Sequence, residues 1–399
     1  MTTASTSHTV HPGSLAEAVD VMRGHPGVVR IRGAGTKQDW GVEPPPADVV
    51  IDTTGLDQVL RHDPDDATAT VQSGMPLAAL QSVLAGHGQQ LAVDPPHPGA
   101  TVGGTFAAGD AGPRRLRYGT MRDLVIGLTA VLPDGAVSRS GGKVIKNVAG
   151  YDLGRLLAGS LGTLGLVADL TIRLHPLPET SATVAVPCDA VAAASATTAL
   201  LAASVEPVAI DWAQRTLWIR YEGASASVDG QVAATRVLLD ELGLAAEDTH
   251  RGEGEEAVWA RLKGGHAGTA GATVAQAATL PSDLATAQHA LADAADDAGV
   301  EATIASHAGV GVHHATLSGA DARAHALAVR AWRGRLAPDG GHVVVRRRAP
   351  TGTAADEGSA WDTVTVWGPD PSAIALMRSL KSRLDPDHRL APGSFVGGI

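Results

Sequence analysis

The chain has 399 residues and a mass of 40.5 kDa, and 44% of its residues are hydrophobic while 18% are charged. This composition excludes an intrinsically disordered chain, and the length exceeds what one hydrophobic core usually fills, so we expect roughly two subdomains. The formal net charge of −11, from 31 basic and 42 acidic residues, argues against a surface that binds nucleic acid or anionic membranes.

Short strands separated by glycine-containing loops are predicted for the N-terminal part of the chain. Apolar runs bounded by turn residues predict strands at 28–32, 48–52, 69–72, 124–132 and 136–140. Pro133-Asp134-Gly135 suits the turn of a hairpin between the last two of these strands. Pro76 is placed to begin a helix with three leucines on one face, and Asp152 is placed to cap a shorter helix. Residues 164–174 alternate between apolar and other side chains, which predicts a strand with one buried face.

The pattern changes after Pro176-Leu177-Pro178, which we interpret as a domain boundary. Strand-like segments then alternate with alanine-rich helices: strands at 208–212, 217–221, 303–307 and 342–347, helices near 231–242, 283–298 and 321–336. This order predicts an α+β cap domain, an antiparallel sheet with helices on one face. The segment 245–275, rich in Gly, Glu and Thr, is predicted as a loop. We therefore divide the chain into domains at 1–178 and 179–370, with a C-terminal helix and tail at 371–399.

Cysteine content and the N-terminal residues restrict the chemistry and the compartment. Cys188 is the single cysteine, so disulfides within the chain and cysteine-held iron–sulfur clusters are excluded. The first residues lack the charged head and apolar run of a signal peptide, and no segment has the length and purity of a transmembrane helix. We expect a cytoplasmic protein.

Glycine loops at the ends of predicted strands are the feature most suggestive of a ligand, because glycine lets successive backbone N–H groups approach a diphosphate. Four such loops are present. The loop RGAGTK at 32–37 lacks the third glycine of the Rossmann fingerprint, and Gly142-Lys143 is followed by Val144 and lacks the upstream spacing of a Walker A loop. The two commonest nucleotide-binding folds are therefore not indicated.

Three blocks in this order carry a family resemblance: RGAGTK at 32–37, PPHPGATVGGTFAAGDAGPRRLRYGTMRDL at 95–124, and GGKVIKNVAGYDLGRLLAGSLGTLGLVADLTIRL at 141–174. Together they resemble the FAD domain of the vanillyl-alcohol oxidase (PCMH-type) flavoproteins. Within that family the chain is most similar to the FAD-binding subunits of bacterial glycolate oxidases. The resemblance implies an α+β fold: a two-subdomain PCMH-type FAD-binding domain joined to the α+β cap domain.

The resemblance also implies which residues hold FAD. The loop at 32–37 would meet the diphosphate, Thr101 and the glycines after it would form a second wall, and Lys146, Asn147 and Tyr151 would lie toward the isoalloxazine. The full set that it implies is Arg32, Gly33, Ala34, Gly35, Thr36, Lys37, Pro96, Thr101, Gly103, Gly104, Gly109, Gly112, Lys146, Asn147, Gly150, Tyr151, Gly162, Thr163, Gly165 and Val167. In covalent relatives the flavin is linked through a His or a Cys. Neither occurs in RGAGTKQDW, His97 is not at the matching position, and Cys188 lies outside the matched blocks, so we expect non-covalent FAD.

The cap departs from the catalytic relatives. They carry a metal site in H-x-G-D-G-N-x-H with a later Glu, whereas this chain has His307-Ala308-Gly309-Val310-Gly311-Val312-His313-His314 and no later Glu-His-Gly. Two imidazoles without a carboxylate, near Arg346-Arg347-Arg348, make a poor cation site, so we expect no bound metal. The three arginines suit an anionic substrate, a partner subunit or a solvated strand edge. The weak catalytic candidates are His307, His314, Arg346 and Tyr151. Ala391-Pro392-Gly393 replaces the usual Asn-Pro-Gly near the C-terminus.

These observations favour an FAD-binding subunit of a glycolate (2-hydroxy acid) oxidase or dehydrogenase. It would pass electrons beside a catalytic flavoprotein subunit and an iron–sulfur subunit, in the cytoplasm or held at the inner membrane through those partners. One alternative is a stand-alone FAD-dependent oxidoreductase of 2-hydroxy acids, with His307, His314 or Tyr151 as the base and Arg346 or Arg347 on the carboxylate. The other is a non-catalytic structural subunit that retains the flavin fold.

Overall fold

Residues 8–42, 45–142, 152–350, 361 and 364–399 are described by a computed structural model of the chain. Two units can be distinguished within it. The first comprises residues 1–111, 118–177 and 370–399, and the second comprises 112–117 and 178–369. The sequence did not predict that the short segment 112–117 leaves the first unit. Arg114 anchors this segment in the second unit through an ion pair of 2.7 Å to Glu222.

The first half of the chain is built from short elements. In chain order they are β1 (His8–Val10), α1 (Leu15–Gly24), β2 (Val29–Arg32), β3 (Val49–Asp52), β4 (Val59–Asp63), β5 (Thr68–Gln72), α2 (Leu77–Ala85), β6 (Gln89–Gln90), α3 (Val102–Ala108), α4 (Arg115–Tyr118), α5 (Met121–Leu124), β7 (Val125–Val131), β8 (Val137–Gly141), α6 (Leu153–Leu157), β9 (Leu166–Arg173) and β10 (His175–Pro176). A parallel three-stranded sheet has the order β1-β3-β2, and an antiparallel five-stranded sheet has the order β4-β5-β9-β7-β8.

The predicted apolar faces pack as expected in this unit. Leu77, Leu80 and Leu84 of α2 are buried against the five-stranded sheet, in one core with Leu170 and Ile172 of β9. The alternation predicted for 164–174 is confirmed from Leu170 onward, because residues two apart on a strand share a face. At the start of β9 the prediction of one buried face is wrong, since Leu166 and Ala168 belong to a second core and Val167 between them is also buried. The hairpin predicted at Pro133-Asp134-Gly135 joins β7 to β8.

The second half of the chain supplies longer helices and a larger sheet. Its elements are β11 (Thr180–Pro187), α7 (Ala190–Ala202), β12 (Ala209–Ala213), β13 (Thr216–Gly223), α8 (Ser225–Glu241), β14 (Thr249–His250), α9 (Gly252–Ala267), β15 (Thr273–Ala278), α10 (Leu284–Ala298), β16 (Glu301–His307), β17 (Val312–Ser318), α11 (Ala322–Leu336), β18 (His342–Arg347) and α12 (Ile374–Leu384). The eight-stranded antiparallel sheet has the order β14-β11-β13-β12-β16-β17-β15-β18. Strands and helices of this kind confirm the predicted α+β class.

The prediction of a loop at 245–275 is wrong, because α9 and the start of β15 lie there. The apolar side of α9 packs against Trp218 and other sheet residues through Val258, Trp259 and Leu262. These residues form a core separate from the one between the sheet and α7, α8 and α10. No helix was predicted there because α9 contains four glycines, which disfavour a helix, and several glutamates, which interrupt its apolar pattern. This helix covers the opposite sheet face from α7 and α8, since residues alternate between the two cores along β12 and β13. The prediction that the cap carries helices on one face of its sheet is therefore wrong.

The C-terminal segment packs on the first unit. After α12 the chain runs beside β2, where Val29 N–H donates to the Arg389 carbonyl at 2.8 Å and Ala391 N–H donates to the Val29 carbonyl at 3.0 Å. Leu390 is buried with Val29 and Ile51 in the core under the parallel sheet. No helix in the described part of the chain combines the length and the hydrophobicity that crossing a membrane requires.

Candidate functional site

A glycine-lined cleft lies within the first unit. The space between its walls is about 730 Å³, part of which is open solvent. Three chain segments line it: the loop after β2, the N-terminal half of α3, and the segment that leads into β9. The lining residues are Ile31, Gly33, Ala34, Gly35, Thr36, Lys37, Gln38, Thr53, Ser73, Thr101, Gly103, Gly104, Ala107, Ala108, Ser160, Leu161, Gly162, Gly165 and Val167.

The loop after β2 is held at its base by an ion pair. Arg32 at the end of β2 donates to Asp52 Oδ2 from Nη2 at 2.8 Å and from Nε at 3.2 Å. Asp52 also accepts from the Thr54 backbone and hydroxyl, and although burial opposes ionisation, these bonds keep its pKa below the ordinary range. Arg32 is thus used to fix the loop and does not itself line the cleft. Gly35 has a φ of +75°, which a residue with a side chain rarely adopts.

Lys37 reaches the cleft but is paired within the protein. Its Nζ lies 3.2 Å from Asp110 Oδ2, and His97 Nδ1 lies 3.4 Å from the same oxygen. Burial alone would raise the pKa of Asp110, but the His97 hydrogen bond and the Lys37 charge hold that pKa below its ordinary value. The lysine also lies over the Trp40 ring, 5.8 Å from its centroid. Among the described residues that line the cleft, Lys37 is therefore the one positive charge, and its partner is a buried carboxylate.

The second wall depends on close approach between chain segments. Thr101 caps α3, because its hydroxyl accepts from the Gly104 N–H at 3.1 Å. A Cβ on Gly103 would lie 2.5 Å from Ser73 Cβ, and a Cβ on Gly33 would lie 2.4 Å from Thr101 Oγ1. Only glycine at these positions leaves the segments close enough to line one cleft.

The third wall is fixed by a buried lysine from the C-terminal helix. Lys381 Nζ of α12 donates to the Thr163 carbonyl at 2.8 Å, to the Leu390 carbonyl at 2.9 Å and to Asp385 Oδ2 at 2.6 Å. Thr163 in turn donates from its hydroxyl to the Ser160 carbonyl at 2.7 Å. The turn that contains Gly162 is thereby held by a residue more than two hundred positions away in sequence.

The structure brings most of the predicted cofactor residues together and leaves others elsewhere. Thr163 and Pro96 are buried and are not among the residues that line the cleft. Gly109 is the left-handed C-cap of α3, with a φ of +62°. Gly112 belongs to the second unit. Lys146, Asn147, Gly150 and Tyr151 lie outside the described residues. Sequence reasoning missed Ser73 and Thr53, which line the cleft and carry no motif signal.

The cleft fits a diphosphate. Among the described residues that line it there is no carboxylate, while six glycines leave backbone exposed and Lys37 supplies a positive charge. Backbone N–H groups and one ammonium group are the donors that a diphosphate requires. The residues present therefore fit the FAD that the resemblance implied.

A second cluster of polar groups is buried in the other unit. Asp211 of β12, His266 of α9, His307 of β16 and His314 of β17 are all less than 10% exposed. His307 Nδ1 lies 3.0 Å from Asp211 Oδ1, and His266 Nε2 lies 3.0 Å from Asp211 Oδ2. The ring centroids are 4.1 Å apart for His266 and His307, 5.2 Å for His266 and His314, and 5.0 Å for His307 and His314.

Sheet register explains how these residues meet. Trp212 is opposite Ser306, so Asp211 and His307 are the next pair along β12 and β16. His314 is opposite Ala305 and so shares the face of His307, and α9 covers that face with His266. Burial lowers the pKa of His307 and pushes that of His314 well below its ordinary value, so both rings are neutral at pH 7. Burial opposes ionisation of Asp211, but His307 and His266 hold its pKa below the usual range.

The other polar residues considered in the cap form hydrogen bonds within the protein. His313 bonds to the hydroxyls of Ser306 and Thr279 at 2.9 Å each, and burial lowers its pKa to about 4. Arg346 Nε donates to Gln276 Oε1 at 2.6 Å, and Arg347 Nη2 donates to the Thr269 carbonyl at 2.6 Å. Both arginines lie on β18 at the edge of the sheet, where they are partly exposed and hydrogen-bonded to neighbouring segments. Sequence reasoning missed Asp211 and His266, because each stands alone on an element with no recognisable motif.

Comparison with known protein families supports the same interpretation of the cleft. Residues 8–141 match the family model described as "FAD binding domain", and residues 367–395 match the model described as "FAD linked oxidases, C-terminal domain". The first match includes the loop after β2 and the wall at Thr101, and the second includes α12 with Lys381.

Curated proteins similar to this chain include a glycolate oxidase subunit and a D-lactate dehydrogenase. The chain is 37% identical over 186 residues to glycolate oxidase subunit GlcE of Escherichia coli, covering 45% of this chain and 51% of that protein. It is 37% identical over 190 residues to D-lactate dehydrogenase of Archaeoglobus fulgidus, covering 47% of this chain and 42% of that protein. The matched region thus spans about half the length of these curated relatives. The solved structure of alkyldihydroxyacetonephosphate synthase shares the fold, with a TM-score of 0.69 at 18% identity over 97% of this chain and 77% of that one.

Proposed function

We propose that this chain, a member of the PCMH-type FAD-binding flavoproteins, is the FAD-binding subunit of a glycolate (2-hydroxy acid) oxidase or dehydrogenase complex. The observation that carries the proposal is the glycine-lined cleft of the first unit, and the 37% identity over 186 residues to a glycolate oxidase subunit supports it. FAD, when bound, accepts the two electrons that a 2-hydroxy acid loses on oxidation to a 2-oxo acid.

The residues of this chain bind and orient the cofactor. Gly33, Gly35, Gly103 and Gly104 line the cleft without side chains that would keep a ligand from the backbone, and Lys37 offsets the negative charge of a diphosphate. Lys37 is paired with Asp110, which His97 also contacts, so its charge is fixed in position before the ligand arrives. No covalent link is part of this proposal.

The cap supports a role that depends on partner subunits. Val310 and Val312 stand where the catalytic relatives carry Asp and Asn, and Arg346 is engaged by Gln276. We therefore propose that the substrate is oxidised mainly on a catalytic flavoprotein subunit and that electrons pass on through an iron–sulfur subunit. The single cysteine requires that any cluster belongs to a partner. The complex would work in the cytoplasm, held at the inner membrane only through its partners.

The visible absorption spectrum of the purified, FAD-loaded chain tests this assignment. Under anaerobic conditions, glycolate or D-lactate is added first and dithionite last. We expect the flavin bands to persist through both hydroxy acids and to bleach with dithionite. Absence of flavin bands after reconstitution with FAD would contradict the cofactor assignment itself.

A matched pair of variants tests the cleft. Gly103→Ala places a Cβ 2.5 Å from Ser73, so we expect loss of FAD binding. Gly24→Ala, at the exposed end of α1 with no atom within 4 Å of the new Cβ, is the control and should bind FAD normally. Equal FAD content in the two variants would show that the cofactor binds elsewhere.

A stand-alone FAD-dependent 2-hydroxy acid oxidoreductase is the second candidate function. The observation that favours it is the 37% identity to D-lactate dehydrogenase of Archaeoglobus fulgidus. Bleaching of the flavin bands by D-lactate or glycolate alone would favour this candidate over the first.

A further inference from the structure

We propose that Arg389 is a positioning residue for the cofactor cleft of the first unit. Its guanidinium group fastens the C-terminal strap, residues 385–391, beside β2, and the strap thereby fixes the loop at 33–37 that would meet the diphosphate. This role rests on the proposed function of the cleft, and it falls to a residue that neither lines the cleft nor belongs to a glycine motif.

Arg389 is buried, and within the described part of the chain its guanidinium group donates only to backbone carbonyls. Its Nη2 donates to the Met22 carbonyl at 2.9 Å and to the His25 carbonyl. Its Nη1 donates to the Pro133 carbonyl, and its Nε donates to the Gly27 carbonyl at 3.4 Å. A buried charge costs free energy unless its donors are satisfied, and the planar set of five donors can join several segments at once. Arg389 thus ties the strap to the end of α1, the turn before β2 and the turn of the β7–β8 hairpin.

The strap forms an added strand beside β2. β2 is the outer strand of the parallel sheet, with β3 on its other side. The Val29 N–H donates to the Arg389 carbonyl at 2.8 Å, and the Ala391 N–H donates to the Val29 carbonyl at 3.0 Å. Leu390 lies opposite Val29 in parallel register, and both side chains are fully buried in one core. The outer edge of β2 is therefore covered by the strap at Val29.

The backbone of the strap follows a path that its own residues do not favour. His388 and Ala391 have φ angles of +50° and +39°, in the left-handed region that residues with side chains rarely adopt. Pro392 follows Ala391 and restricts that residue further. Since a strained backbone persists only where surrounding contacts determine it, the contacts of Arg389 and Leu390 set the path of the strap.

β2 connects the strap to the cleft. The strand runs from Val29 to Arg32 and leads directly into the loop at 33–37, and Ile31 lines the cleft. A Cβ on Gly162 would lie 3.5 Å from the Ile31 Cβ, so β2 also lies against the turn of the third wall. A shift of the strand at Val29 therefore moves the backbone donors of the loop, and displaced donors bind a ligand weakly.

FAD titration followed by flavin fluorescence tests the proposal with two controls. We expect Arg389→Met to bind FAD at least about 10-fold more weakly than the wild type, because the loop is no longer held in place. Arg383→Met makes the same substitution on the exposed face of α12 and should bind FAD as the wild type does. Leu84→Ala removes a fully buried side chain that neither lines the cleft nor belongs to the strap. It should lower stability in urea yet bind FAD within about 2-fold of the wild type.

The outcomes separate this inference from the proposed function. Equal FAD affinity in Arg389→Met and the wild type, or equal losses in Arg389→Met and Leu84→Ala, would overturn the role of Arg389 and leave the FAD assignment standing. Absence of FAD binding by the wild type would overturn the FAD assignment itself.

Hydrogen–deuterium exchange of the FAD-free chain tests the position of the loop without a ligand. In Arg389→Met the amides of β2 and of 33–37 should exchange at least about 10-fold faster than in the wild type, whereas in Leu84→Ala the faster exchange should be in α2. Unchanged exchange at 33–37 in Arg389→Met would overturn the inference whatever the FAD affinities are. Arg389→Lys, which keeps the charge and one group of donors, should show smaller changes in the same direction, and it replaces Arg389→Met if that variant does not fold.

Discussion

Replacement of Lys381 by Met should destabilise the first unit and loosen the wall of the cleft at Thr163. Lys381 and Asp385 are 2% and 0% exposed, and the ammonium group makes three hydrogen bonds of 2.6–2.9 Å. Methionine keeps the length of the side chain but leaves the Asp385 carboxylate and two carbonyls without this donor. Breaking a buried ion pair from one side costs about 3–5 kcal/mol, because the remaining charge is uncompensated.

Urea denaturation with the FAD absorbance and the circular dichroism recorded together measures this effect. For a unit of this size a loss of 3–5 kcal/mol corresponds to a fall in Tm of roughly 10 °C. Arg383→Met, on the exposed face of the same helix, is the control and should change stability by less than about 0.5 kcal/mol. Lys381→Met/Asp385→Asn should be more stable than Lys381→Met, since it removes the unpaired charge.

The pH dependence of the unfolding free energy is a second test of the Lys381–Asp385 pair, and the structure predicts its direction. Burial opposes ionisation of Asp385, but the Lys381 bond and two backbone N–H groups keep its pKa below the ordinary value. In the wild type this contribution to stability is present above about pH 4 and is lost as the pH falls further. Without Lys381, burial raises the pKa of Asp385, so the deficit of Lys381→Met should shrink between pH 7 and pH 5. A deficit that is constant over this range would refute the role of the unpaired carboxylate.

Three further changes test other parts of the chain. Lys37→Met should weaken FAD binding about 10–100-fold in a fluorescence titration, because the positive charge in the cleft is lost. Asp110→Asn removes only the partner of the lysine and should not weaken binding, so equal losses in the two variants would exclude a diphosphate at Lys37. Gly230→Ala, in the exposed middle of α8 with no atom within 4 Å of the new Cβ, should add about 0.5–1 kcal/mol to the unfolding free energy, and a decrease in urea denaturation would contradict the helix there. Burial raises the pKa of the Cys188 thiol to about 11, so at pH 8 a disulfide reagent should label it about 100-fold more slowly in the folded than in the urea-unfolded chain.

Local patterns in the sequence predicted the elements whose burial depends on near neighbours. The leucines of α2 define one buried face within a few residues, and that face packs as predicted. The alternation of β9 predicts its second half in the same way, whereas its first half is buried on both faces because a second core forms against it. In α9 the local signals conflicted, because glycine and glutamate disfavour or obscure an apolar face. Trp259 nevertheless anchors that helix, with its indole nitrogen donating to Thr183 at 2.9 Å. Tertiary contacts decided the structure there, as they do when propensity is weak.

The glycine loops show the same limit at the candidate site. Gly33, Gly35 and Gly103 line the cleft, but Gly109 caps a helix and Gly112 lies in the other unit. A motif identifies glycines that the backbone needs, and it does not separate those that approach a ligand from those that end a helix. That distinction depends on which segments meet, such as Ser73 against Gly103.

The buried histidine cluster depends on sequence separations that no motif can span. Asp211 meets His307 because antiparallel register pairs β12 with β16, and His266 joins them because α9 covers that face of the sheet. A shift of one residue in that register would turn Asp211 to the opposite face, toward the core formed with α7 and α8. The absence of an acidic residue from the motif around His307 therefore did not settle whether a carboxylate lies beside the imidazoles. A buried carboxylate costs free energy unless it has polar partners, and Asp211 finds these partners in His266 and His307, which come from two other elements.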